Sequence, residues 1–198
     1  MINLKTLCLL FSLSGFFINC SSIKPPPFTP IQSPAIKEGE RFDSVEGNFT
    51  INIFQAPSQT LDLGTETAHK KGIDAGKMFI WKIEGTSNSE RTFYTVSYSN
   101  PFDSDGNAMP HNFDDMNIGF RKGIARQGAK LISEREISYD KYPGREFRYV
   151  ASNRVKFIGR SYLIKTMDYQ IVGGYVDDKN EKEVLEVLDS FKLLTDKM

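Results

Sequence analysis

Residues 145–176, REFRYVASNRVKFIGRSYLIKTMDYQIVGGYV, decide the fold that this sequence predicts. They contain runs rich in β-branched and aromatic residues, which favour strands: residues 145–152, 155–166 and 169–176. Phe147, Tyr149 and Ala151 alternate with polar residues, as in a strand that buries one face. The connections Asn153-Arg154 and Met167-Asp168 are short enough for antiparallel hairpins. The segment therefore predicts an antiparallel meander.

Further strands are predicted on the amino-terminal side of this meander. Residues 130–138 precede it directly and make it four-stranded. Earlier runs rich in aromatic and β-branched residues lie at residues 49–53, 78–84 and 91–98. In the second of these, Phe79, Trp81 and Ile83 share one face. These runs add strands ahead of the meander.

Two amphipathic helices complete the pattern. In residues 114–127, Met116, Phe120 and Ile124 recur at four-residue spacing, and Gly128 follows as a stop signal. Near the carboxyl end, Asp178 is predicted as an N-cap, with Glu181 completing a capping arrangement. An apolar stripe then follows at helical spacing, made of Val184, Val187, Leu188 and Phe191. Each helix has one apolar face with which to pack on a sheet.

The predicted fold is α+β, an antiparallel sheet with helices packed on its faces. The chain has 198 residues, enough for one ordinary domain and short for two. We expect a single domain at residues 42–194, followed by a short tail at residues 195–198.

The first nineteen residues are predicted to be a signal peptide. Lys5 gives the start a positive charge, and residues 7–18, LCLLFSLSGFFI, form an uncharged apolar run. This run is shorter than the ~20 apolar residues that span a bilayer. The uncharged stretch extends to Ile23 only if polar Asn19 and its neighbours are included, so a retained membrane anchor is the weaker interpretation.

The apolar run ends at Cys20 in a sequence that resembles a bacterial lipobox, where a cysteine is acylated and the signal is cut just before it. Phe17 and Asn19 depart from the usual leucine and small residue, which leaves an ordinary secretory signal as the alternative. We predict lipidation of Cys20 by palmitate-like acyl chains, each buried methylene contributing ~0.8 kcal/mol to membrane binding.

A proline-rich tether is predicted between Cys20 and the domain, over residues 20–41. Five of the nine prolines lie there: Pro25, Pro26, Pro27, Pro30 and Pro34. Proline fixes φ and removes donors, so such a run favours an extended, semi-rigid spacer. The same run could instead dock in an aromatic groove of a partner. The sequence thus predicts a domain held away from a membrane in the bacterial cell envelope, and we expect the outer one.

Four short motifs of the domain resemble the PsbP-like α/β/α sandwich group, which includes bacterial lipoproteins. They are the opening strand at residues 46–53 ending at Pro57, the turn Pro143-Gly144-Arg145-Glu146, the strand Arg160-Ser161-Tyr162-Leu163, and the closing residues 188–193. The resemblance implies the sandwich fold and a mostly non-enzymatic group of photosystem-associated and adaptor-like proteins. It implies no catalytic or binding residue.

The composition excludes several function classes. Lys+Arg and Asp+Glu are both 25, so there is no basic excess of the kind that nucleic-acid binders carry, and we predict no nucleic-acid partner. Two cysteines and two histidines do not provide a disulfide framework or a zinc ligand set. We therefore predict no metal and no cofactor.

Weak hints of chemistry remain in the polar loop before the first helix. Asp103, Asp105 and Asn107 alternate as calcium-loop ligands do, but Ala108 stands where an EF-hand needs glycine, so a solvated turn is the simpler interpretation. His69 and His111 are far apart in polar sequence and are interpreted as surface residues.

The predicted function is that of a lipid-anchored envelope protein whose domain binds a protein partner without catalysis. A basic face on the hairpin strands is the candidate surface: Arg145, Arg148, Arg154, Lys156 and Arg160. A charged, solvated sheet surface is the alternative interpretation. A carrier of small ligands is the second functional hypothesis and an enzyme the third, because no nucleophile–base pair is legible.

Overall fold

The computed structural model describes residues 41–53, 55–64, 70–72, 75–83, 92–100 and 112–194. The predicted signal peptide, Cys20, nearly all of the tether and the 195–198 tail lie outside these residues. So do His69, His111 and the loop with Asp103, Asp105 and Asn107.

A seven-stranded antiparallel sheet forms the centre of the domain. Its strands are β3 (Gln59–Asp62), β4 (Gly76–Ile83), β5 (Thr92–Ser99), β6 (Lys130–Tyr139), β7 (Tyr142–Val150), β8 (Lys156–Ile164) and β9 (Met167–Tyr175). They lie in the order β3-β4-β5-β9-β8-β7-β6. The predicted meander is confirmed as β6 to β9, with β9 pairing onto the earlier strand β5.

The turn between β6 and β7 is not where the resemblance placed it. Pro143 and Gly144 lie inside β7, and the chain reverses at Asp140-Lys141, where Asp140 adopts φ 51°. Proline is tolerated because β7 pairs with β8 only from Gly144 onward. Gly144 is required by packing, since a Cβ there would lie 2.5 Å from the Tyr162 ring. The predicted turn is therefore wrong.

A second, three-stranded sheet covers part of the main one. It consists of β1 (Phe42–Ser44), β2 (Phe49–Ile51) and β10 (Lys192–Leu193), in the order β1-β2-β10. The predicted opening strand is thus confirmed as β2, but it belongs to this small sheet. Phe42, Phe49 and Ile51 are buried. The ring of Phe42 packs against those of Phe79 and Trp81 in β4, and the ring of Phe49 packs against that of Phe79.

Helix α1 (Phe113–Arg126) packs on one face of the main sheet. The side chain of Asn112 caps it by accepting a hydrogen bond from the Asp115 amide at 2.9 Å. The predicted stripe of Met116, Phe120 and Ile124 is confirmed as buried. Phe120 stacks on Phe147 with ring centroids 4.3 Å apart.

Helix α2 (Glu181–Asp189) packs on the opposite face, as the close approach of its Val184 to Gly173 shows. The predicted N-cap is wrong. A 3-10 turn, Asp178–Asn180, precedes the helix, and it is the carboxylate of Asp177 that accepts a hydrogen bond from the Lys179 amide, at 3.1 Å. The predicted apolar stripe is confirmed, with Val184 and Leu188 buried and Phe191 buried just beyond the helix end.

These elements confirm the predicted class: a single α+β domain with helices on the two faces of an antiparallel sheet. We call the two sides of the main sheet the α1 face and the α2 face. Neither α1 nor α2 is long and apolar enough to cross a membrane, and within the described residues there is no other helix that is.

Candidate functional site

The five predicted basic residues do not share one face. Arg145 lies on the α1 face over the ring of Phe113, and its guanidinium is 3.3 Å from Glu134 and 3.5 Å from Glu136. Arg148 and Arg160 lie on the α2 face, because side chains alternate along β7 and β8. The predicted continuous basic face is therefore wrong in its geometry, although contact of these residues with a partner stays a prediction.

Glu146 is the centre of an ion-pair cluster on the α2 face. Glu146 lies on β7, directly opposite Arg135 of β6 on one side and Arg160 of β8 on the other. The Nε atoms of Arg135 and Arg160 donate to its carboxylate at 2.9 and 3.0 Å, and Arg148 Nε is 3.6 Å away. The Glu146 side chain is only 1% exposed. Three guanidiniums thus compensate one buried carboxylate, which could not otherwise stay charged there.

Helix α2 supplies the remaining acids of this cluster. Asp189 lies 2.7 Å from Arg160 Nη1, and Glu181 accepts hydrogen bonds from Arg148 and from the Tyr175 hydroxyl, the latter at 2.9 Å. Glu181 therefore ties the helix to the sheet and does not act as the predicted capping residue. The charges on Arg148 and Arg160 are neutralised inside the domain.

The pKa directions agree with this geometry. Burial raises the pKa of Glu146, but hydrogen bonds from Arg135 and Arg160 outweigh it, so the pKa lies below its ordinary value. The hydrogen bond from Arg148 is the main cause that lowers the pKa of Glu181. Both carboxylates are therefore held in the charged form, which suits a structural clamp better than proton transfer.

One group of exposed positive charges lies at one end of the sheet, and we call it the basic pole. It is defined by four residues: Arg126, Lys130, Arg154 and Lys156. Lys130 pairs in register with Val150, and Val150 pairs with Lys156. Arg154 is exposed in the turn from β7 to β8, and Arg126 is exposed in the last turn of α1, just before β6.

Within the described residues, the basic pole is only partly neutralised. Lys156 forms an ion pair with Asp178, whereas Lys130 and Arg154 have no ion pair in this part of the chain. Two of the exposed large apolar side chains lie beside the pole. Ile132, at the bulge of β6, is 60% exposed, and Val176, after β9, is 43% exposed. The pole therefore combines unpaired positive charge with small apolar patches.

An open polar cavity of about 310 Å³ lies at the other end of α2. Its lining combines cations, carboxylates and neutral polar side chains from the small sheet and the helix end: Arg41, Thr50, Asn52, Glu186, Asp189, Ser190 and Lys192. Ser190 Oγ accepts a hydrogen bond from the Asn52 amide at 2.9 Å, which joins the helix end to the small sheet. The cavity thus lies where the chain enters the domain at Arg41.

In the part of the chain that the structure describes, no group of three or more His, Cys, Asp or Glu residues could hold a metal ion. The loop weighed for calcium and both histidines lie outside that part.

Comparison with known proteins finds solved structures that are similar to this chain at low sequence identity. No family model matches the chain, and no curated protein matches it. Solved structures that resemble it include cyanobacterial PsbP (CyanoP) from Synechocystis sp. PCC 6803, with 12% identity and a TM-score of 0.46, covering 85% of this chain and 99% of that one. Another is the Ran-binding protein Mog1p of Saccharomyces cerevisiae, with 9% identity and a TM-score of 0.42, covering 78% and 95%.

A protein of unknown function from Pseudomonas aeruginosa is a third similar structure, with 12% identity, a TM-score of 0.43 and coverage of 55% of this chain and 79% of that one.

Lys130, Arg126 and the Glu146 cluster were not predicted from the sequence. Correct placement of the turns would have predicted the cluster, because the turns set which residues face each other on neighbouring strands. A reversal at Asp140-Lys141 places Arg135 opposite Glu146, and the next hairpin places Glu146 opposite Arg160. Placing the turn at Pro143-Gly144 concealed that register.

Proposed function

We propose that this chain is a lipid-anchored protein of the bacterial cell envelope, of the PsbP-like group, whose folded domain binds another protein without catalysis. The observation that carries the proposal is the order of segments along the sequence. A short apolar run ends at Cys20, a proline-rich stretch follows, and the folded domain begins at Phe42.

The arrangement of charge supports a binding role for the domain. The ionised side chains of the Glu146 cluster are engaged with each other, whereas Lys130 and Arg154 of the basic pole have no ion pair within the described residues. Exposed charge gives specificity and speeds association between proteins. The predicted tether would place such a domain within reach of other envelope components.

Substitution of Cys20 tests the anchor. We expect the full-length protein in the membrane fraction, carrying labelled palmitate, and the Cys20→Ser variant in the soluble fraction without label, because the acyl chains provide the membrane affinity. Cys8→Ser is the matched control, since Cys8 belongs to the predicted signal peptide. Continued membrane retention of Cys20→Ser would instead indicate an uncleaved apolar anchor.

Recovery of the full-length protein from native membranes in mild detergent tests the binding role. A stoichiometric protein partner, identified by mass spectrometry after crosslinking in the intact cell, is the expected result. A domain recovered alone after efficient crosslinking would contradict it.

The cavity beside Arg41 supports a second candidate function, a carrier of small polar ligands. About 310 Å³ is at the lower end of the volumes that hold small molecules. Native mass spectrometry of protein purified from its own membranes distinguishes the two, since a carrier would retain a bound mass that the apo protein lacks.

A further inference from the structure

The two ends of the domain differ: one carries the small sheet and the other carries the basic pole. Helix α2 runs alongside β8, because Asp178 before the helix pairs with Lys156 and Asp189 at its end pairs with Arg160. Beyond the helix, Phe191 stacks on Tyr162 of β8 and leads into β10 of the small sheet. The small sheet and the basic pole therefore lie at opposite ends of β8.

The chain enters the domain at the small-sheet end. Arg41 directly precedes β1, and it lines the cavity together with Ser190 and Lys192. The distance along β8 from Lys156 to Tyr162 is about 20 Å, at ~3.3 Å per residue. A tether that pulls on Arg41 would hold that end toward the anchoring membrane and present the basic pole on the far side.

We propose that the basic pole is the partner-binding surface and that its partner is an acidic protein surface. This inference rests on the proposed function, a tethered domain that binds another protein. The unpaired charges of Lys130 and Arg154 attract carboxylates, and exposed Ile132 and Val176 supply apolar contact beside them.

The acids at the pole favour a protein over a lipid surface. Asp178 is 71% exposed beside Lys156, and Asp177, next to it in the chain, lies 3.9 Å from Lys179, so carboxylates and cations are interspersed there. A uniformly anionic membrane would face these carboxylates as well as the cations, at a cost from like-charge repulsion. A folded acidic partner can place its carboxylates opposite Lys130 and Arg154 and leave Asp178 uncontacted.

The test measures binding of the full chain, purified in mild detergent, to an oligo-glutamate peptide. We expect measurable affinity at low ionic strength that weakens steeply toward about 0.15 M salt, where charges are screened beyond ~8 Å. Arg154→Glu and Lys130→Glu should each weaken binding at least about fivefold, because each replaces an unpaired cation by an anion that repels the glutamates.

Lys141→Glu is the matched control, because it changes the net charge equally but lies in the turn between β6 and β7, away from the pole. It should leave the affinity unchanged. Thermal unfolding checks that each variant is folded, and Arg154→Gln and Lys130→Gln replace any charge-reversed variant that is not. Each neutral variant should lose less affinity for the peptide than the corresponding charge-reversed variant.

Three results would overturn the inference. They are absence of binding to the peptide at low salt, equal weakening by Lys141→Glu, and a preference for phosphatidylglycerol over phosphatidylcholine vesicles that Arg154→Glu and Lys130→Glu abolish, since acyl chains on Cys20 would bind both kinds of vesicle. Fractionation of the Cys20→Ser variant is independent of all three results. If the peptide experiment fails but Cys20→Ser still moves to the soluble fraction, the proposed anchor stands and only the basic pole is rejected as the binding surface.

Discussion

On the α2 face of the main sheet, aromatic rings from both sheets form a continuous buried layer, and an internal ion-pair cluster closes it beside the helix. On the α1 face, the buried layer is much smaller and centres on Phe120, Phe147 and Tyr149. The small sheet accounts for much of the difference, because it adds Phe42 and Phe49 to one face only, and Phe191 joins them from the segment between α2 and β10. Most of the hydrophobic stabilisation should therefore come from the α2 face.

The largest expected effect comes from the aromatic layer of the α2 face. Phe191→Ala should lower the free energy of unfolding by ~3–5 kcal/mol, because its ring joins both sheets. It contacts Phe49 at 5.7 Å and Tyr162 at 6.2 Å between centroids. Urea unfolding measures the loss. Phe120→Ala on the α1 face should cost less, about 3 kcal/mol. A larger loss for Phe120→Ala would contradict the comparison.

The next effect concerns the charged part of the α2 face. Glu146→Gln should lower stability by about 3 kcal/mol at neutral pH, because buried Arg160 loses a charged partner. Since the pKa of Glu146 is lowered in the folded state, its stabilisation is present above the ordinary carboxyl pKa of ~4.3 and is lost as pH falls through the folded value. As the pH is lowered from neutral into the acid range, the Glu146→Gln variant should therefore lose less stability than the unsubstituted protein.

Glu136→Gln is the control for that measurement. The Glu136 side chain is 83% exposed and lies 3.5 Å from Arg145, so its stability-versus-pH curve should follow that of the unsubstituted protein. If the two variants had the same curve, Glu146 would not be the buried charge that holds the cluster together.

The smallest effect sharpens the contrast between tyrosines on the two faces. The Tyr149 hydroxyl on the α1 face is buried and makes no hydrogen bond with any described residue, and burial raises its pKa. Tyr149→Phe should therefore raise stability by about 1 kcal/mol. Tyr169 on the α2 face donates to the Gly47 carbonyl at 3.0 Å, so Tyr169→Phe should lower stability by a similar amount. Thermal unfolding checks both: the midpoint temperature should rise for Tyr149→Phe and fall for Tyr169→Phe.

The strands and helices could be predicted because their signals are local. Alternation placed Phe147 and Tyr149 together, and four-residue spacing placed Phe120 and Ile124 together, as the structure confirms. Shorter elements gave no such signal. Strands β1, β3 and β10 have two to four residues each, too few to show a period.

The cap of α2 and the turn at Pro143-Gly144 were wrong for a common reason. The cap was inferred from residue type and the turn from the family resemblance, but Glu181 is engaged by Arg148 and Tyr175, and Gly144 is required by the ring of Tyr162. Each of these partners lies on another element, and only the tertiary structure brings it near.

The sequence by itself determined an α+β domain, its antiparallel meander and the two apolar helix stripes, because hydrophobic periodicity is a property of neighbouring residues. Only the tertiary structure decided which positive charges are exposed. Arg160 is neutralised by Glu146 across a strand pair and by Asp189 from a helix end, while Lys130 and Arg154 meet no carboxylate within the described residues. An ion pair depends on strand register and helix placement, which bring together residues that are distant in the chain.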